Sequence, residues 1–538
     1  METVKKKEFT LRILGIYRET IVDGEGLRYS IYFSGCPHAC PGCHNEESWN
    51  PCNGEKLTYG KLEEIAEEIN SNELLDGITV SGGDPLFNPV EMFEVLKFLK
   101  KNSYISIGLM LFALFFGAGN LIFPAFLGQN AGSNLPVAMT GFIIMGVGLP
   151  LLGVLVMGYS GAVDLLELSS RAGKVFGVTF TTLLYLTIGP FFAIPRTGTT
   201  TYELGLSSFF PESSQTVAQA VFLAIFMGLT LWLSISPNKL VDRIGTVITP
   251  VLLLSMVILI IASVVNPMGS AQAPTEVYST SSTAFTSGLM EGYNTMDALA
   301  SLVFGIIVIN AVKLYGAKTK GEIFKNTTKA AVIAAILLAL VYVFISNIGM
   351  TSVSVLGLQK TGAGVLTGAT TYYFGSVGKI LLFIIVFLAC LTTSVGLVTA
   401  CSTYFVRLYN KISYKAYAVG LTVFSFAVGN YGLAAIIKGA VPVLVLLYPL
   451  TVVLILLGFL NNLFGGKKVV YVTTVTLTAL YSLYATITST LGVSVAAIDN
   501  ILVKVLPLQG DFAWINFAVV GVVLGLVLSL KFKKTIND

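Results

Sequence analysis

Between residues 105 and 532 the sequence carries twelve continuous apolar stretches, and that repetition leaves few folds open. A hydrocarbon core about 30 Å thick is crossed by a helix of roughly 20 apolar residues. The stretches fall at 105–127, 136–160, 178–205, 217–236, 244–266, 295–315, 328–350, 377–408, 414–429, 435–461, 468–490 and 513–532. Strands of a membrane barrel would instead alternate apolar and polar residues over about ten positions. The expectation is an all-α polytopic membrane protein with twelve transmembrane helices.

Charge divides the chain and tests that count. Residues 1–104 hold 28 charged side chains and a net charge of −6, whereas residues 105–538 hold 34 and a net of +10. Two domains are therefore expected, a small acidic segment at 1–104 and a membrane domain at 105–538. With the N-terminus inside, seventeen Lys and Arg residues fall in cytoplasmic loops and the tail. The outer loops receive only Lys360, Lys379, Lys438 and Lys504. That asymmetry follows the positive-inside rule and would be scrambled by one missed helix, so both termini are expected in the cytoplasm. Met1 to Arg28 lacks the apolar core of a signal peptide. The positive charge sits where membrane insertion requires it, so no nucleic-acid partner is expected. The only histidines, His38 and His44, precede the first span, which argues against a membrane cytochrome.

Within the membrane domain three stretches carry residues that apolar helices do not need. The first span contains Phe116-Gly117-Ala118-Gly119-Asn120 and then Pro124. Two glycines and an amide in mid-membrane weaken the helix, and a broken helix offers N–H groups to an anion and carbonyls to a cation. The sixth span, the counterpart of the first in a pair of five-helix repeats, has Phe304-Gly305 with Asn310 downstream. The eighth contains Cys390-Leu391-Thr392-Thr393-Ser394, whose hydroxyls suit a small hard cation. Arg196 falls within the third span, where a charge either faces a cavity or snorkels to the interface. No acid lies deep in spans one or eight. A cation there would rest on carbonyls and hydroxyls, completed by a substrate carboxylate, which favours an amino acid with a small coupling ion.

These residues resemble a known family. LMLFALFFGAGNLIFPAFLGQNAG at 109–132, SISPNKLVDRIG at 234–245 and ALASLVFGIIVINAVK at 298–313 are similar to the bacterial branched-chain amino-acid:cation symporters of the amino acid–polyamine–organocation superfamily. The resemblance implies the leucine-transporter-like fold of five plus five inverted repeats with two added helices. It implies a substrate site at Gly117, Ala118, Gly119 and Asn120, with Phe304 and Gly305 beside the apolar side chain of Leu, Ile or Val. It also implies a Na+ site from the carbonyls of Ala113 and Phe116 and the hydroxyls of Thr393 and Ser394. A proton remains the alternative coupling ion.

The N-terminal segment is a different object. Cys36, Cys40 and Cys43 stand at C-x3-C-x2-C spacing, a set that can hold three irons of a cubane and leave the fourth open. Zinc completed by His44 or Cys52 is the competing reading. Ile78–Val80 then run into Ser81-Gly82-Gly83-Asp84-Pro85, a strand entering a glycine turn within an order suggesting α/β repeats. GIYRETIVDGEGLRYSIYFSGCPHACPGCHNEESWNP at 15–51 and SGGDPL at 81–86 resemble radical S-adenosylmethionine enzymes, specifically anaerobic ribonucleoside-triphosphate reductase activating proteins. By that resemblance Cys36, Cys40 and Cys43 would hold a [4Fe–4S] cluster. Gly82, Gly83 and Asp84 would bind S-adenosylmethionine, and the anaerobic ribonucleotide reductase would be the partner. The match stops after Val90–Lys101, before the later strands of the partial barrel, so the segment reads as truncated and vestigial. Two unrelated families joined in mid-domain point to a fused or misassembled reading frame.

The expected function is secondary active import of branched-chain amino acids across the bacterial inner membrane, coupled to Na+ or H+. The alternative is a radical S-adenosylmethionine glycyl-radical activating enzyme tethered to a membrane anchor.

Overall fold

The structure, a computed structural model, describes residues 9–24, 26–72, 74–75, 77–99, 104–162, 164–237, 240–314, 317, 319–491, 508 and 510–530. Among the cations counted above, Lys239, Lys318, Lys504, Lys531, Lys533 and Lys534 lie outside the described residues. The chain forms two compact units that divide between Ser103 and Tyr104.

The first unit contains strands β1 (Arg12–Thr20), β2 (Arg28–Phe33) and β3 (Glu55–Lys56), helix α1 (Tyr59–Ser71), strand β4 (Gly77–Gly82) and helix α2 (Pro89–Leu99). The sheet order is β3-β1-β2-β4. Strand β1 runs antiparallel to β2 and β3, and β4 runs parallel to β2 with Tyr29 opposite Ile78 and Ile31 opposite Val80. The sheet is thus mixed rather than the run of α/β repeats expected: β1 and β2 are joined by a short turn, and a short connection cannot make strands parallel. Alternate residues Tyr29, Ile31 and Phe33 of β2 are buried, as one covered sheet face demands. Leu62 and Ile65 of α1 and Met92, Val95 and Leu99 of α2 pack into the same core at helical spacing. Thr58 caps α1, its side chain accepting from the Lys61 N–H at 3.2 Å.

The second unit is all helical among the described residues. It opens with α3 (Tyr104–Phe115), α4 (Ala118–Ala131), α5 (Leu135–Ile143), α6 (Leu149–Ser160), α7 (Leu165–Ser170), α8 (Lys174–Leu186) and α9 (Ala193–Gly205). It continues with α10 (Gln215–Ser234), α11 (Thr249–Val265), α12 (Ser281–Asn294), α13 (Asp297–Leu314), α14 (Lys320–Leu356) and α15 (Gly362–Leu408). It ends with α16 (Tyr414–Gly429), α17 (Leu433–Leu460), α18 (Lys468–Leu491) and α19 (Trp514–Ser529). Every apolar stretch of the sequence is occupied by helix. Nine helical segments among the described residues are long and apolar enough to cross a membrane, and α3 and α19 are shorter apolar helices. Wider i→i+5 turns join α5 to α6 at Ile144–Gly148 and α8 towards α9 at Thr187–Phe191.

The Ser- and Thr-rich segment before α13 contains α12 and a short 3-10 turn at Glu276–Tyr278. Small residues on α12 let it lie directly on α5: a Cβ at Gly288 would stand 1.9 Å from the Ala138 carbonyl oxygen. One at Gly141 would stand 2.3 Å from that of Phe285. Helix α4 is gripped in the same manner, since a Cβ at Gly128 would meet the Ser346 oxygen at 1.9 Å and one at Gly349 the Ala125 oxygen at 2.1 Å. Close approach of backbones at small residues is how membrane helices gain contact without a hydrophobic driving force.

In the first unit, Glu91 at the start of α2 holds the chain entering β1. Its Oε2 accepts from the Thr10 N–H at 2.7 Å, the Thr10 hydroxyl at 3.0 Å and the Leu11 N–H at 3.1 Å. Replacing Glu91 by Ala should weaken that edge by about 2–3 kcal/mol, the worth of hydrogen bonds to a charged acceptor. Hydrogen exchange of residues 9–13 in the full chain would rise accordingly, and unchanged exchange would show that the carboxylate does not hold the strand.

Candidate functional site: two interrupted helices around one cavity

Residues Phe116 and Gly117 separate α3 from α4, and Gly117 is extended at φ −111° and ψ −171°. The Phe116 N–H still bonds back to the Phe112 oxygen at 2.8 Å, so the helix ends there and restarts at Ala118. Asn120 organises the break. Its Oδ1 accepts from the Gly117 N–H at 3.1 Å, and its Nδ2 donates to Asp297 Oδ2 and to Tyr342 Oη, each at 2.5 Å. The Tyr342 hydroxyl in turn donates to Asp297 Oδ2 at 3.4 Å. Asn120, Asp297 and Tyr342 are 3%, 4% and 0% exposed, so these groups satisfy one another away from water.

The partner of this break lies at Thr295 and Met296, between α12 and α13. Met296 has φ +62°, a left-handed conformation that a long side chain rarely adopts. The interruption therefore precedes Phe304 and Gly305, which sit in regular helix. Phe304 lines the cavity described next and stacks edge-on to Phe115 at 5.7 Å. Gly305 does not line it. A Cβ there would meet the Met157 Cγ at 2.8 Å, so that glycine serves close packing against α6. Asp297, absent from the expected site, was masked because it stands at the edge of an apolar stretch and has no glycine beside it.

One cavity is bounded by both breaks. Gly117, Ala118 and Asn120 form one wall and Thr295, Met296 and Asp297 another. Phe192, Arg196 and Thr197 of α9 and its approach, Phe304 of α13, and Thr393 and Leu397 of α15 complete it. Its volume is about 50 Å³, against roughly 10–15 Å³ for one water. Side chains must therefore shift before a branched amino acid enters. Arg196 faces this cavity, which decides between the two placements its sequence position allowed. Its guanidinium lies 4.6 Å from the Phe192 ring centre and over the first turn of α4, where a Cβ on Gly119 would be 3.7 Å from Nη2.

Helix α15 brings hydroxyls to the end of α3. Thr392 Oγ1 donates to the Ala113 oxygen at 2.8 Å and Thr393 Oγ1 to the Leu114 oxygen at 3.1 Å. Gly117 is required for that approach, because a Cβ there would stand 3.3 Å from Thr393 Oγ1. Ser394, one residue on and about 100° further round the helix, accepts from Thr230 at 3.3 Å instead. Of the four residues expected at the ion site, Ala113 and Phe116 lie at the end of α3 and the break, Thr393 bonds to Leu114 beside them, and Ser394 bonds to Thr230. Thr392 also reaches α3, at Ala113.

In the first unit the Gly82–Asp84 turn and the cysteine loop are adjacent. The Asp84 N–H bonds the Gly35 oxygen at 3.0 Å, the Gly83 N–H bonds the Phe33 oxygen at 2.8 Å, and His38 Nε2 lies 3.4 Å from Asp84 Oδ2. Cys36, Cys40 and Cys43 are free thiols, Cys40 exposed, and the Cys43 N–H bonds the Cys40 oxygen at 3.1 Å. The donor set is that of a three-thiolate cluster. The three sulfurs do not converge, however: among the described residues no group of three His, Cys, Asp or Glu side chains is placed to hold a metal ion.

Replacing Asn120 by Ala would strip Asp297 of a donor while leaving its carboxylate buried. A loss of about 3 kcal/mol is expected, as for breaking a buried charged network, and would appear as earlier thermal unfolding of the full chain in detergent. Adding Asp297→Asn should restore part of that loss, because contacting groups are not additive. Simple addition of the two losses would show that the residues do not act together.

Comparisons with known proteins match two different families to the two ends of the chain. Residues 100–532 match the family described as branched-chain amino acid transport protein, and residues 22–113 match the 4Fe-4S single cluster domain. The branched-chain amino acid permease BrnQ of Bacillus subtilis is 45% identical over 432 residues, covering 80% of this chain and 98% of the relative. The permease BraB of the same organism is 43% identical, covering 79% and 95%. BrnQ of Lactobacillus delbrueckii subsp. lactis is 40% identical, covering 76% and 92%. A solved structure, MhsT in complex with L-phenylalanine, is 18% identical with a TM-score of 0.44, covering 79% of this chain and 98% of that one. On the strength of the match across its second unit, the chain belongs to the branched-chain amino acid transport protein family.

Proposed function

We propose that this protein imports Leu, Ile and Val across the bacterial cell membrane by secondary active transport. The observation that carries the reading is the pair of interrupted helices, α3–α4 and α12–α13, facing one another across a single cavity. Free helix ends in mid-membrane supply polar groups that lipid would otherwise forbid. Their places in chain order are those of the first helix in each of two five-helix repeats, with twelve spans and both termini inside the cell. The similarity to branched-chain amino acid permeases supports the amino-acid class.

In this reading the substrate carboxylate is held at the first turn of α4. The Gly119 N–H has no acceptor among the described residues, and Ala118 beside it lines the cavity. Gly117 gives the turn its room and Asn120 fixes it. The apolar side chain packs beside Phe304. Na+ is the coupling ion, resting on the carbonyls of Ala113 and Phe116 and the hydroxyls of Thr393 and Thr392, whose oxygen lone pairs take the ion once their hydrogens turn from the α3 carbonyls. The first unit is vestigial as an activating enzyme. Its Cys36, Cys40 and Cys43 would supply the thiolates of a [4Fe–4S] cluster, and Gly82–Asp84 the turn beside it, but the sheet lacks the later strands of a cofactor-binding barrel among the described residues.

The test is uptake of labelled leucine by proteoliposomes containing the full chain, under a Na+ gradient or a proton gradient. Saturable uptake that Ile and Val compete, driven by Na+, is expected. Thr393→Ala should cut the Na+-driven rate about tenfold, or ~1.4 kcal/mol, while Ser394→Ala changes it less than about threefold. Uptake driven equally well by protons alone would replace Na+ in the reading, and absence of leucine uptake would overturn it.

A further inference from the structure

We propose that Arg196 is the residue that recognises the carboxylate of the transported amino acid. The inference rests on the transport reading and extends it to a side chain that the sequence left without a role. A guanidinium away from bulk water retains its charge and requires an anion or several acceptors nearby. The Arg196 guanidinium makes no hydrogen bond and no ion pair among the described residues, and the Phe192 ring lies beneath it. It is partly buried and lines the cavity between the two helix breaks.

The geometry points to a missing anion. The guanidinium overhangs Gly119, 3.7 Å from where a Cβ would stand, on the first turn of a 14-residue helix whose positive end faces the same space. The Gly119 N–H there lacks an acceptor among the described residues. A planar fork of donors thus lies over the first turn of α4, whose Ala118 lines the same cavity as Arg196, an arrangement suited to a carboxylate taken bidentately. The nearest opposite charge on the cavity wall, Asp297, is already engaged by Asn120 and Tyr342, so it leaves the arginine unpaired. Asp297 instead places a carboxyl group at the other break, so the cavity is lined by a basic group on one side and an acidic residue on the other. Phe192 under the guanidinium holds its plane and restricts the directions from which an oxygen can reach it.

A carboxylate held only by helix N–H groups would survive loss of the arginine; one held by Arg196 would not. Competition against labelled leucine distinguishes these, using L-leucine and L-leucinamide, which keeps the ammonium and the side chain but lacks the anion. Full-length protein should bind leucine far more tightly than leucinamide. In Arg196→Gln leucine affinity should fall about 10- to 100-fold, as for a lost charged hydrogen bond, with leucinamide affinity unchanged. Arg196→Lys should recover part of the preference. Loss of both ligands in equal proportion, or an unchanged ratio between them, would overturn the assignment. A second measurement needs no variant: leucine, but not leucinamide, should protect Arg196 of the unaltered protein from phenylglyoxal, read by peptide mass spectrometry. Equal protection by both would also overturn it. Unaltered protein that binds neither ligand would overturn the transport reading itself, which separates that failure from this one.

Discussion

One amide holds the centre of this protein open. A helix in lipid has no water to accept its freed backbone groups, so a break persists only if the protein itself occupies them. The Asn120 side chain does this from within the broken segment, accepting from Gly117 with its oxygen while its nitrogen reaches Asp297 and Tyr342. Both amide hydrogens and an oxygen lone pair are used. Because Asp297 begins α13 and Tyr342 lies on α14, the same side chain joins the first break to the second and ties both to a continuous helix. The cavity exists where it does because those three residues agree on its position.

Glycine packing keeps that agreement rigid. Helix α4 lies against α14 at Gly128 and Gly349 and against the start of α15 at Gly362, where a Cβ would stand 1.9 Å from the Ile122 oxygen. Helix α12 is pressed to α5 at Gly288. Any side chain at those points would push whole helices apart, and the Asn120–Asp297 distance would open with them. Interfaces of this kind favour movement of packed groups as bodies over bending within them. The breaks themselves, where few backbone bonds cross, are the natural places for such bodies to part.

How much of this the sequence discloses depends on what signals a break. The first interruption is legible, since two glycines, an amide and a proline in ten apolar residues have no use in a plain helix. The second is not, because Met296 takes a left-handed conformation with no glycine to mark it, while the glycine that is visible, Gly305, turns out to pack on Met157. The hydroxyl run at 392–394 is legible as a polar site, but its rotation is not. Thr392 and Thr393 face α3 and Ser394 faces Thr230, a difference of one helical step that only neighbouring helices decide. Arg196 was ambiguous for the same reason. In the first unit the cysteine loop and the glycine turn are read from spacing and are found side by side, whereas sheet polarity depends on connections that spacing does not specify.

The wide turn at Thr187–Phe191 bears on that last point. It contains Pro190 and a distorted Gly189 at ψ −115°, and α9 begins directly after it. An extra residue in one helical turn alters nothing about the length of a span, but it resets the azimuth of everything beyond. Removing one residue there would rotate α9 by about 100°, carrying its cation from the cavity to a face built for neighbours or lipid. The charge lining the cavity is thus specified twice, once as a residue and once as an angle. The angle is written in a turn that itself gives Ile188 to the cavity wall.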